Sequence, residues 1–515
     1  MTAPVTPSLT ETPLRPSHTA PIPLTALAAL AGATVLGAPD GAAVTGITLR
    51  AQHVRPGDLF AALPSLTPGC THGADFAGIA LAAGAAAVLT DPSGAGRPSL
   101  ASAPVPVLVH PDPRSVLGML ASRTYGLPCT QLAVLGVTGT AGKTTVTYLL
   151  EAGLRAAGAS TGLLGTVQAR IGDQQLPSAF TTPEAPDLQA LLALMVERGV
   201  SHLSMEVSSH ALALGRVAGT AFAVGAFTNL SQDHLDFHGG LEEYFAAKAL
   251  LFDGRAAAEV VCVDDAWGRR LVTGATSTVS LDGSNAAATW RAADVAVAPS
   301  GSQTFRVLGP GGFDQRALVR LPGPFNVSNT LVALAVAHAA GADPRLVLRG
   351  IATAQVPGRM QRVDAGQSFL ALVDFAHKPA AVAALLDAVR AQVPGRLLMV
   401  LGCGGDRDSG KRPLMGAEAA RRADLLVVTD DNPRSEDPAT IRAAMLTGAR
   451  AGPAEVVEIG DRAAAIDYVV ARAGAGDAVV VAGKGHETGQ QVHGVTHPFS
   501  DAEVLAHALT NRSER

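Results

Sequence analysis

Short apolar runs recur along the chain, and several of them stop abruptly at a cluster of polar residues. Runs bounded in this way are typical of buried strands in parallel sheets, and the stretches between them are long enough for helices. The pattern therefore predicts an α/β protein. The predicted strands cover residues 44–49, 85–89, 105–109, 132–135, 200–205, 222–227, 397–401, 425–429 and 478–482.

Proline and glycine divide the chain into a tail and three domains. Residues 1–20, rich in Pro, Thr and Ser, predict a disordered tail, and the length of 515 residues suits about three domains. The uncharged stretch 24–38 is predicted to be a helix rather than a signal peptide or membrane span, because prolines and glycines interrupt it. The predicted domains are residues 21–127, 128–355 and 356–515, the last one beginning with the linker Val356-Pro-Gly-Arg359.

The composition indicates a compact protein that acts on small molecules. Hydrophobic residues make up 48% of the chain and charged residues 16%, and the net charge is −5 without a long basic block. Binding to nucleic acid or to an acidic membrane surface is therefore not indicated. The four cysteines lie far apart without a C-x-x-C spacing, which argues against a metal cluster and fits a reducing compartment. We expect a cytoplasmic monomer without a membrane span.

The most specific local signal is a glycine-rich run, Gly136-Val-Thr-Gly-Thr-Ala-Gly-Lys-Thr-Thr145, between a predicted strand and a predicted helix. Such a turn lets backbone N–H groups surround phosphate at a helix N-terminus. Lys143 is expected to reach the terminal phosphates of ATP, and Thr144 a magnesium ion. The spacing is a variant of the P-loop G-x-x-x-x-G-K-[ST], and a glycine turn with a chance lysine is the alternative. The expected phosphate-binding residues are Gly139, Thr140, Ala141, Gly142, Lys143, Thr144 and Thr145.

Polar residues also follow the next two predicted strands of this domain. Glu206 comes directly after residues 200–205, and Asp233-His-Leu-Asp236 and His238 come after residues 222–227. Because parallel strands end at one edge of a sheet, these side chains are expected to face the glycine-rich loop. Carboxylates and imidazoles there indicate metal and phosphate chemistry, whereas solvated turn residues are the alternative.

Lys248 stands in an apolar setting, with Ala246 and Ala247 before it and residues 249–252 after it. A partly buried lysine loses its proton more easily and becomes reactive. A lysine that extends its charge to solvent from an amphipathic helix is the alternative.

Three polar clusters end the predicted strands of the last domain, and they bring Arg407, Arg434 and Glu487 to one sheet edge. The two arginines suit carboxylate groups and Glu487 suits an ammonium group, so the three together predict an amino-acid site. Separate surface salt bridges are the alternative. The clusters are Gly402-Cys-Gly-Gly-Asp-Arg-Asp408, Asp430-Asp-Asn-Pro-Arg434 and Gly483-Lys-Gly-His-Glu487.

These motifs together resemble those of the Mur ligases, over residues 45–501. The matching segments are Gly139-Thr-Ala-Gly-Lys-Thr-Thr145, Met205-Glu-Val-Ser-Ser-His210, Thr228-Asn-Leu-Ser231 with Asp233-His-Leu-Asp236, and Ala247-Lys248. The resemblance implies a UDP-sugar-binding α/β domain, a central P-loop mononucleotide-binding domain and a C-terminal Rossmann-like domain, each a sheet flanked by helices. It further implies an ATP-dependent amide ligase of peptidoglycan biosynthesis that extends UDP-N-acetylmuramoyl-L-alanyl-D-glutamate through an acyl phosphate.

The resemblance also implies roles for individual residues. Lys248 is expected to be carbamylated by CO2 and to bind the second of two Mg²⁺ ions, with Glu206 and His234 positioning the metals. The nucleotide is expected to contact Asn326, Arg359, Asp374 and His377. The UDP-sugar dipeptide is expected to contact Leu49, Thr71, His72, Thr181, Thr182, Ser208 and Arg216. The acceptor amino acid is expected to contact Arg407, Asp431, Asn432, Pro433, Arg434, Gly483 and Glu487.

The family resemblance points to meso-diaminopimelate as the acceptor, because Asp431-Asn-Pro-Arg434 is the motif associated with this diamino acid. L-Lysine lacks the second carboxylate that Arg434 would pair with. L-Lysine and L-ornithine remain as alternative acceptors. Folylpolyglutamate synthase, which shares the variant loop, and a nucleotide-dependent regulatory protein remain as alternative functions.

Overall fold

The structure, a computed structural model, describes residues 14–66, 69–176, 181–298 and 301–513, except for the side chains of Asp236 and Ser513. These residues form three successive α/β domains, as the apolar runs predict. Residues 1–13 of the predicted tail lie outside the described residues. Across the described ranges, no helix has both the length and the apolar character that a membrane span requires.

The N-terminal domain carries a small sheet between short helices. Its strands are β1 Ile22–Pro23, β2 Thr34–Leu36, β3 Ala43–Val44, β4 Gly46–Thr48, β5 Asp58–Ala61, β6 Ala87–Thr90 and β7 Val107–Val109, and its helices are α1 Leu24–Ala31, α2 Ala77–Ala82, α3 Pro92–Ala95 and α4 Pro113–Thr124. The main sheet has the order β2-β7-β6-β5-β4 and is parallel except for β2. The predicted helix 24–38 ends early, because Gly32 adopts a left-handed φ of 64° and closes it.

The central domain is built on an 11-stranded sheet. Its strands are β8 Ala133–Thr138, β9 Thr161–Leu164, β10 Ala169–Ile171, β11 Gln174–Leu176, β12 His202–Glu206, β13 Phe222–Phe227, β14 Ala256–Cys262, β15 Ser277–Ser280, β16 Trp290–Val297, β17 Gln303–Gly309 and β18 Phe313–Val319. Its helices are α5 Lys143–Ala156, α6 Ala185–Glu197, α7 Ser209–Ala213, α8 Leu235–His238, α9 Leu241–Ala249, α10 Ala266–Arg269, α11 Pro324–Ala339 and α12 Pro344–Ile351.

The middle of this sheet is parallel and sets the position of the site. The strands β9, β12, β8, β13, β14, β15 and β16 run in one direction, with antiparallel strands at both edges. Glu206 pairs in register with Val137, and Phe227 with Thr138, so β8, β12 and β13 end at the same level. The polar residues that follow these strands therefore meet at one edge, as the sequence predicts.

The C-terminal domain has a six-stranded sheet in the order β19-β20-β24-β21-β22-β23, parallel except for β19. Its strands are β19 Gln361–Arg362, β20 Leu370–Asp374, β21 Leu397–Leu401, β22 Leu425–Val428, β23 Glu455–Glu458 and β24 Ala478–Ala482, followed by the hairpin β25 Gly489–Val492 and β26 Val495–Pro498. Its helices are α13 Pro379–Arg390, α14 Lys411–Arg422, α15 Pro438–Ala449, α16 Arg462–Arg472 and α17 Asp501–Ser513.

Residues 14–20, which belong to the predicted disordered tail, contact two domains. Arg15 Nη1 donates to Asp58 Oδ1 at 2.7 Å in a buried ion pair with the N-terminal domain. The Ser17 N–H donates to Glu197 Oε2 at 2.7 Å, and Leu14 packs against the core of the central domain. The prediction of disorder is therefore wrong for this segment, because a buried ion pair and an apolar contact hold it in place.

Candidate functional site

The phosphate loop lies between β8 and α5 and is shorter than the sequence suggests. Gly136 belongs to β8, where it pairs with Met205 and Gly225, so the loop proper begins at Gly139. Gly142 has a φ of 88°, and a Cβ at this position would lie 2.4 Å from Asn329 Oδ1. Glycine is therefore required here both for its backbone conformation and for space.

Lys143 begins α5 and folds back over the loop. Its Nζ donates to the carbonyl oxygens of Gly139 at 2.8 Å and Thr140 at 3.1 Å. Burial lowers the pKa of Lys143 to about 8, although the negative charge of Glu206 opposes the shift. The loop thus places a cation and a helix N-terminus at one point, which is the arrangement that binds phosphate. Ala141 and Thr145 complete this turn, and the Ala141 N–H donates to Asn229 Oδ1 at 3.0 Å.

Glu206 lies at the end of β12, directly beside this loop, and only 1% of it is exposed. Its Oε1 accepts hydrogen bonds from Thr144 Oγ1 and from the Thr166 N–H, both at 2.9 Å. Thr166 Oγ1 donates to Oε2 at 3.1 Å. A carboxylate next to the threonine hydroxyl of a phosphate loop offers the oxygen ligands that Mg²⁺ prefers, so Thr144 and Glu206 fit a magnesium site.

Lys248 is buried in α9 on the other side of the loop, with 1% of its surface exposed. Its Nζ donates to Gly139 O at 2.9 Å and lies 4.4 Å from the centre of the Tyr244 ring. Burial lowers the pKa of Lys248 well below its usual value, and the charge of Lys143 lowers it further. The ammonium is no metal ligand, whereas a neutral amine at this position is a nucleophile.

Several imidazoles lie near Tyr244, the ring that contacts Lys248 Nζ. His234 has a left-handed φ of 52°, and its ring centre lies 4.8 Å from that of His210. His234 Nε2 lies 3.0 Å from Asp233 Oδ2, and Asp233 also pairs with Lys378 of the C-terminal domain. These hydrogen bonds and charges hold the pKa of the Asp233 carboxyl far below its usual range against the effect of burial. The side chain of Asp236 lies outside the described residues.

The predicted metal ligands do not all meet. No group of three His, Cys, Asp or Glu side chains with the spacing of a metal site occurs among the residues that the structure describes. Glu206 is adjacent to Thr144, but unmodified Lys248 supplies a cation where an oxygen ligand would be needed. A complete second site from Glu206, His234 and Lys248 therefore requires the lysine to be modified.

The predicted nucleotide residues come from two domains that meet over the loop. Asn326 Oδ1 accepts from Asn329 Nδ2 at 3.0 Å, and Asn329 in turn lies against Gly142. Arg359 Nη2 donates to Thr144 Oγ1 at 3.3 Å, and its guanidinium lies 4.3 Å from the centre of the Phe375 ring. The linker residue Arg359 thus joins the C-terminal domain to the phosphate loop.

Asp374 and His377 hold the start of the C-terminal domain in shape. Asp374 accepts the N–H groups of Met360 at 2.7 Å and Ala376 at 2.8 Å, and burial raises the pKa of its carboxyl. His377 Nδ1 lies 2.7 Å from Phe375 O, and burial lowers the pKa of this imidazole to about 3. His377 is therefore neutral at physiological pH and acts through hydrogen bonds rather than charge.

The central-domain residues predicted to contact the sugar-peptide form one cluster beside Glu206. Thr182 Oγ1 donates to Glu206 O at 3.0 Å, and Arg216 Nη1 donates to Thr182 O at 3.4 Å. Thr181 Oγ1 lies 3.1 Å from Thr166 Oγ1, and Ser208 caps α7. The structure therefore brings Thr181, Thr182, Ser208 and Arg216 together, next to the phosphate loop.

The N-terminal candidates are less well suited to binding a ligand. His72 is buried, its Nδ1 accepts the Ala74 N–H at 2.9 Å, and its Nε2 lies 3.0 Å from Asp91 Oδ1. Both ring nitrogens are thus engaged inside the domain, and the contact of His72 with the UDP-sugar stays a prediction. Thr71 is exposed in the preceding turn, and Leu49 packs against the core of the domain.

The acceptor motif in the C-terminal domain forms a connected polar network at the carboxyl ends of β22 and β24. Asn432 Nδ2 donates to Glu487 Oε2 at 2.7 Å. Arg434 has a left-handed φ of 53°, and its Nη1 donates to Gly405 O at 2.5 Å. Asp431 is buried, and a Cβ on Gly483 would lie 2.5 Å from its Oδ2.

Arg407 does not join this network. It is exposed on the loop after β21, so the predicted pair of arginines is reduced to Arg434 among the described contacts. Pro433 is buried between Asn432 and Arg434 and fixes the turn. Arg434 and Glu487 thus place a guanidinium and a partly exposed carboxylate at this crevice.

Some residues of the site were not predicted from the sequence. Lys378 reaches Asp233 across the domain boundary, and Thr166 binds Glu206 from the loop after β9. Lys484 is completely buried within the acceptor network. The run Gly483-Lys-Gly-His-Glu487 was the available signal for Lys484, whereas an isolated threonine in a loop carries none.

Comparison with known proteins matches all three domains to one family. The model of the Mur ligase family, catalytic domain, matches residues 43–125; that of the Mur ligase middle domain matches residues 137–337; and that of the Mur ligase, glutamate ligase domain, matches residues 358–485. These matches cover the phosphate loop, Lys248 and the acceptor motif.

Whole-length relatives agree with this result. The UDP-N-acetylmuramoyl-L-alanyl-D-glutamate--2,6-diaminopimelate ligase of Corynebacterium glutamicum is 51% identical over 91% of this chain and 92% of its own. The protein of the same name from Streptomyces coelicolor is 54% identical over 95% and 97% of the two chains. A solved structure with this name is 35% identical, with a TM-score of 0.67 over 92% of this chain and 96% of that one. The chain therefore belongs to the Mur ligase family.

Proposed function

We propose that this protein is the ATP-dependent ligase that joins meso-2,6-diaminopimelate to the D-Glu γ-carboxylate of UDP-N-acetylmuramoyl-L-alanyl-D-glutamate. The observation that carries the proposal is the pairing of a phosphate loop in one domain with an Arg434, Asn432 and Glu487 network in the next. The phosphate loop activates a carboxylate with ATP, and the network holds an amino acid. The names of the relatives give the same substrate pair.

The first step activates the γ-carboxylate, which is by itself a poor electrophile. One of its oxygens attacks the γ-phosphorus of ATP, the bond from that phosphorus to the bridging oxygen breaks, and ADP leaves with the electron pair. Lys143 and the N–H groups that begin α5 stabilise the negative charge that develops on the transferred phosphoryl group. The product of this step is an acyl phosphate.

Thr144 and Glu206 would hold a magnesium ion, and the chemistry it would supply is neutralisation of the negative charge on the phosphates. We assign a second ion to the Lys248 side, where a lysine carbamate would replace the cation by an oxygen ligand. The low pKa of Lys248 supports this assignment, because only a neutral amine reacts with CO2.

The second step forms the amide bond. The amine of the acceptor attacks the acyl carbon, a tetrahedral intermediate forms, and phosphate leaves as the carbonyl is restored; the nitrogen loses a proton. Asn432, Arg434 and Glu487 orient the acceptor for this attack, while Thr181, Thr182, Ser208 and Arg216 hold the sugar-peptide beside Glu206.

The choice of meso-diaminopimelate rests on Arg434. Its guanidinium can pair with the carboxylate at the distal end of a diamino diacid, and L-lysine and L-ornithine leave it without that partner. When the bound amino acid has no distal carboxylate, Arg434 stays unpaired and binding free energy is lost. L-Lysine and L-ornithine are therefore weaker acceptors. We place the reaction in the cytoplasm, where ATP is available, and propose that the enzyme acts as a monomer on small-molecule substrates.

An ADP-release assay with the purified full chain tests this proposal. ADP release that requires both UDP-N-acetylmuramoyl-L-alanyl-D-glutamate and a diamino acid supports it. Release driven by a folate with glutamate would favour a folylpolyglutamate synthase instead, and hydrolysis that needs neither substrate would favour a nucleotide-dependent regulatory protein.

A further inference from the structure

Lys484 follows β24 and is completely buried, although lysine is among the residues least often found in a protein interior. A charged lysine is removed from water only where other groups replace its hydration. The proposed reaction assigns no role to Lys484, because its described polar contacts include neither the phosphate loop nor Arg434. The burial of Lys484 therefore points to a role that the proposed reaction does not include.

All the described polar partners of Lys484 Nζ belong to the acceptor network. Nζ donates to Asn432 Oδ1 at 2.9 Å and to Glu487 Oε2 at 3.0 Å, and it lies 4.0 Å from Asp431 Oδ1. The ammonium thus lies between two carboxylates and an amide, all three of which belong to the acceptor network.

These contacts fix the orientation of the Asn432 amide. Its Oδ1 accepts from Lys484 Nζ and from the Gln491 N–H at 2.9 Å, and its Nδ2 donates to Glu487 Oε2 at 2.7 Å. A flipped amide would place two N–H donors against the ammonium and lose all three bonds. Lys484 and the Gln491 N–H therefore together determine which atom Asn432 presents to Glu487.

Glu487 is fixed in the same way. Its Oε2 receives both described hydrogen bonds, from Lys484 and Asn432, while the side chain remains 34% exposed. The bonds thus hold Oε2 within the network, and neither of them engages Oε1. Lys484 Nζ thus lies within 4.0 Å of a carboxylate oxygen of both Asp431 and Glu487.

We propose that Lys484 is a positioning residue of the acceptor site, which holds Glu487 and Asn432 in place to receive the distal ammonium group of a diamino diacid. This inference rests on the proposed function, because it takes the acceptor to be an amino acid with an ammonium and a carboxylate at its far end. A buried ion pair that only stabilises the domain is the competing explanation.

Comparison of two acceptors in the full-length enzyme separates these explanations. meso-Diaminopimelate carries the distal amine, and L-2-aminopimelate has the same chain and distal carboxylate without it. For Lys484→Met we expect kcat/KM with diaminopimelate to fall roughly tenfold or more, since a hydrogen bond to a charged group is lost, while kcat/KM with aminopimelate stays within about threefold and KM for ATP is unchanged.

Two further variants serve as controls. Glu487→Gln removes the carboxylate through which Lys484 acts, so it is expected to abolish the same preference for diaminopimelate over aminopimelate in kcat/KM. Arg462→Met removes another buried cation of this domain, which pairs with Asp501 and donates to the carbonyl oxygens of Asp430 and Ala482 without contacting Glu487, and it is expected to lower the rates with both acceptors alike. If Lys484→Met does not fold in a thermal scan, Lys484→Gln, which keeps an N–H donor, provides the same comparison.

Equal losses with both acceptors in the Lys484 variant would overturn the inference and leave the proposed function intact. A wild-type enzyme that does not turn over diaminopimelate would overturn the proposed function itself, and this inference with it. Selective loss with diaminopimelate supports both.

Discussion

Two lysines of the site, Lys143 and Lys248, donate to the same carbonyl oxygen, that of Gly139. Both have a lowered pKa, and burial is the main cause in each case. They differ in their positions, because Lys143 begins a helix at the phosphate loop and Lys248 lies beneath the Tyr244 ring. Because their positions differ, we propose different tasks for the two lysines, phosphate binding for Lys143 and modification for Lys248.

Carbamylation of Lys248 is directly observable by ¹³C NMR. After incubation with ¹³C-labelled bicarbonate, we expect a carbamate resonance in the wild-type protein that is absent from Lys248→Arg. Because the pKa of Lys248 is lowered, the neutral amine exists at a pH where an ordinary lysine is protonated, so the resonance should persist toward neutral pH and disappear on acidification. Identical spectra for wild type and variant would refute the assignment.

The Lys143 ammonium gives ATP binding a pH dependence. The folded-state pKa of about 8 lies below the usual value of 10.5, so the cation is present below about pH 8 and lost above it. We expect the affinity of the free enzyme for an ATP analogue, measured by calorimetry, to fall as the pH rises through this region. Lys143→Arg keeps its charge and should show a flatter profile; parallel profiles would contradict the role of Lys143.

At the scale of secondary structure, the apolar runs located parallel strands in all three domains, but the parallel strands β5, β9, β14, β15, β20 and β23 were not predicted. The predicted strands at 222–227, 397–401 and 478–482 coincide with β13, β21 and β24. The strand predicted at 132–135 continues to Thr138, because Gly136 pairs on both sides although it resembles a loop residue. The antiparallel extension β16–β18 was not predicted, since its exposed, alternating strands form no continuous apolar run.

The phosphate loop depends on the backbone and the space at Gly142. Gly142→Ala forces a residue with a Cβ into the left-handed backbone conformation, which costs about 1–2 kcal/mol of conformational free energy. The new Cβ also clashes with Asn329. Gly158 has a similar φ of 89° with nothing within 4 Å of a Cβ, so Gly158→Ala carries the conformational cost alone.

We therefore expect Gly142→Ala to lose more free energy of unfolding in urea than Gly158→Ala, and to lose affinity for an ATP analogue. Gly158→Ala should keep the wild-type affinity. Equal stability and equal affinity for the two variants would show that the loop tolerates a side chain at residue 142.

On the scale of the whole molecule, the site exists only where domains meet. Arg359 and Lys378 of the C-terminal domain reach Thr144 and Asp233 of the central domain. The sequence indicated the individual motifs, because each follows an apolar run. It did not indicate the pairings between them, such as Lys378 with Asp233, because an ion pair between residues 145 positions apart leaves no local pattern.

The contact between Lys378 and Asp233 is expected to favour closure of the C-terminal domain about the linker Val356-Pro-Gly-Arg359. Small-angle scattering should show a smaller radius of gyration when an ATP analogue and the UDP-dipeptide are added to the wild-type enzyme. Lys378→Met should need more ligand for the same change, whereas Arg306→Met, which breaks an exposed pair within the central domain, should behave as wild type. Scattering unaltered by ligands would argue against closure.

We propose that the phosphate loop and the acceptor site that contains Arg434 together make this protein a diaminopimelate-adding ligase. The most direct test supplies the purified enzyme with ATP, UDP-N-acetylmuramoyl-L-alanyl-D-glutamate and equal concentrations of meso-diaminopimelate, L-lysine and L-ornithine, and identifies the UDP-linked tripeptides by mass spectrometry. We predict that the diaminopimelate product predominates in the wild type and that Arg434→Met loses this preference. A wild-type enzyme that forms mainly the lysine or ornithine product would show that meso-diaminopimelate is not the preferred acceptor.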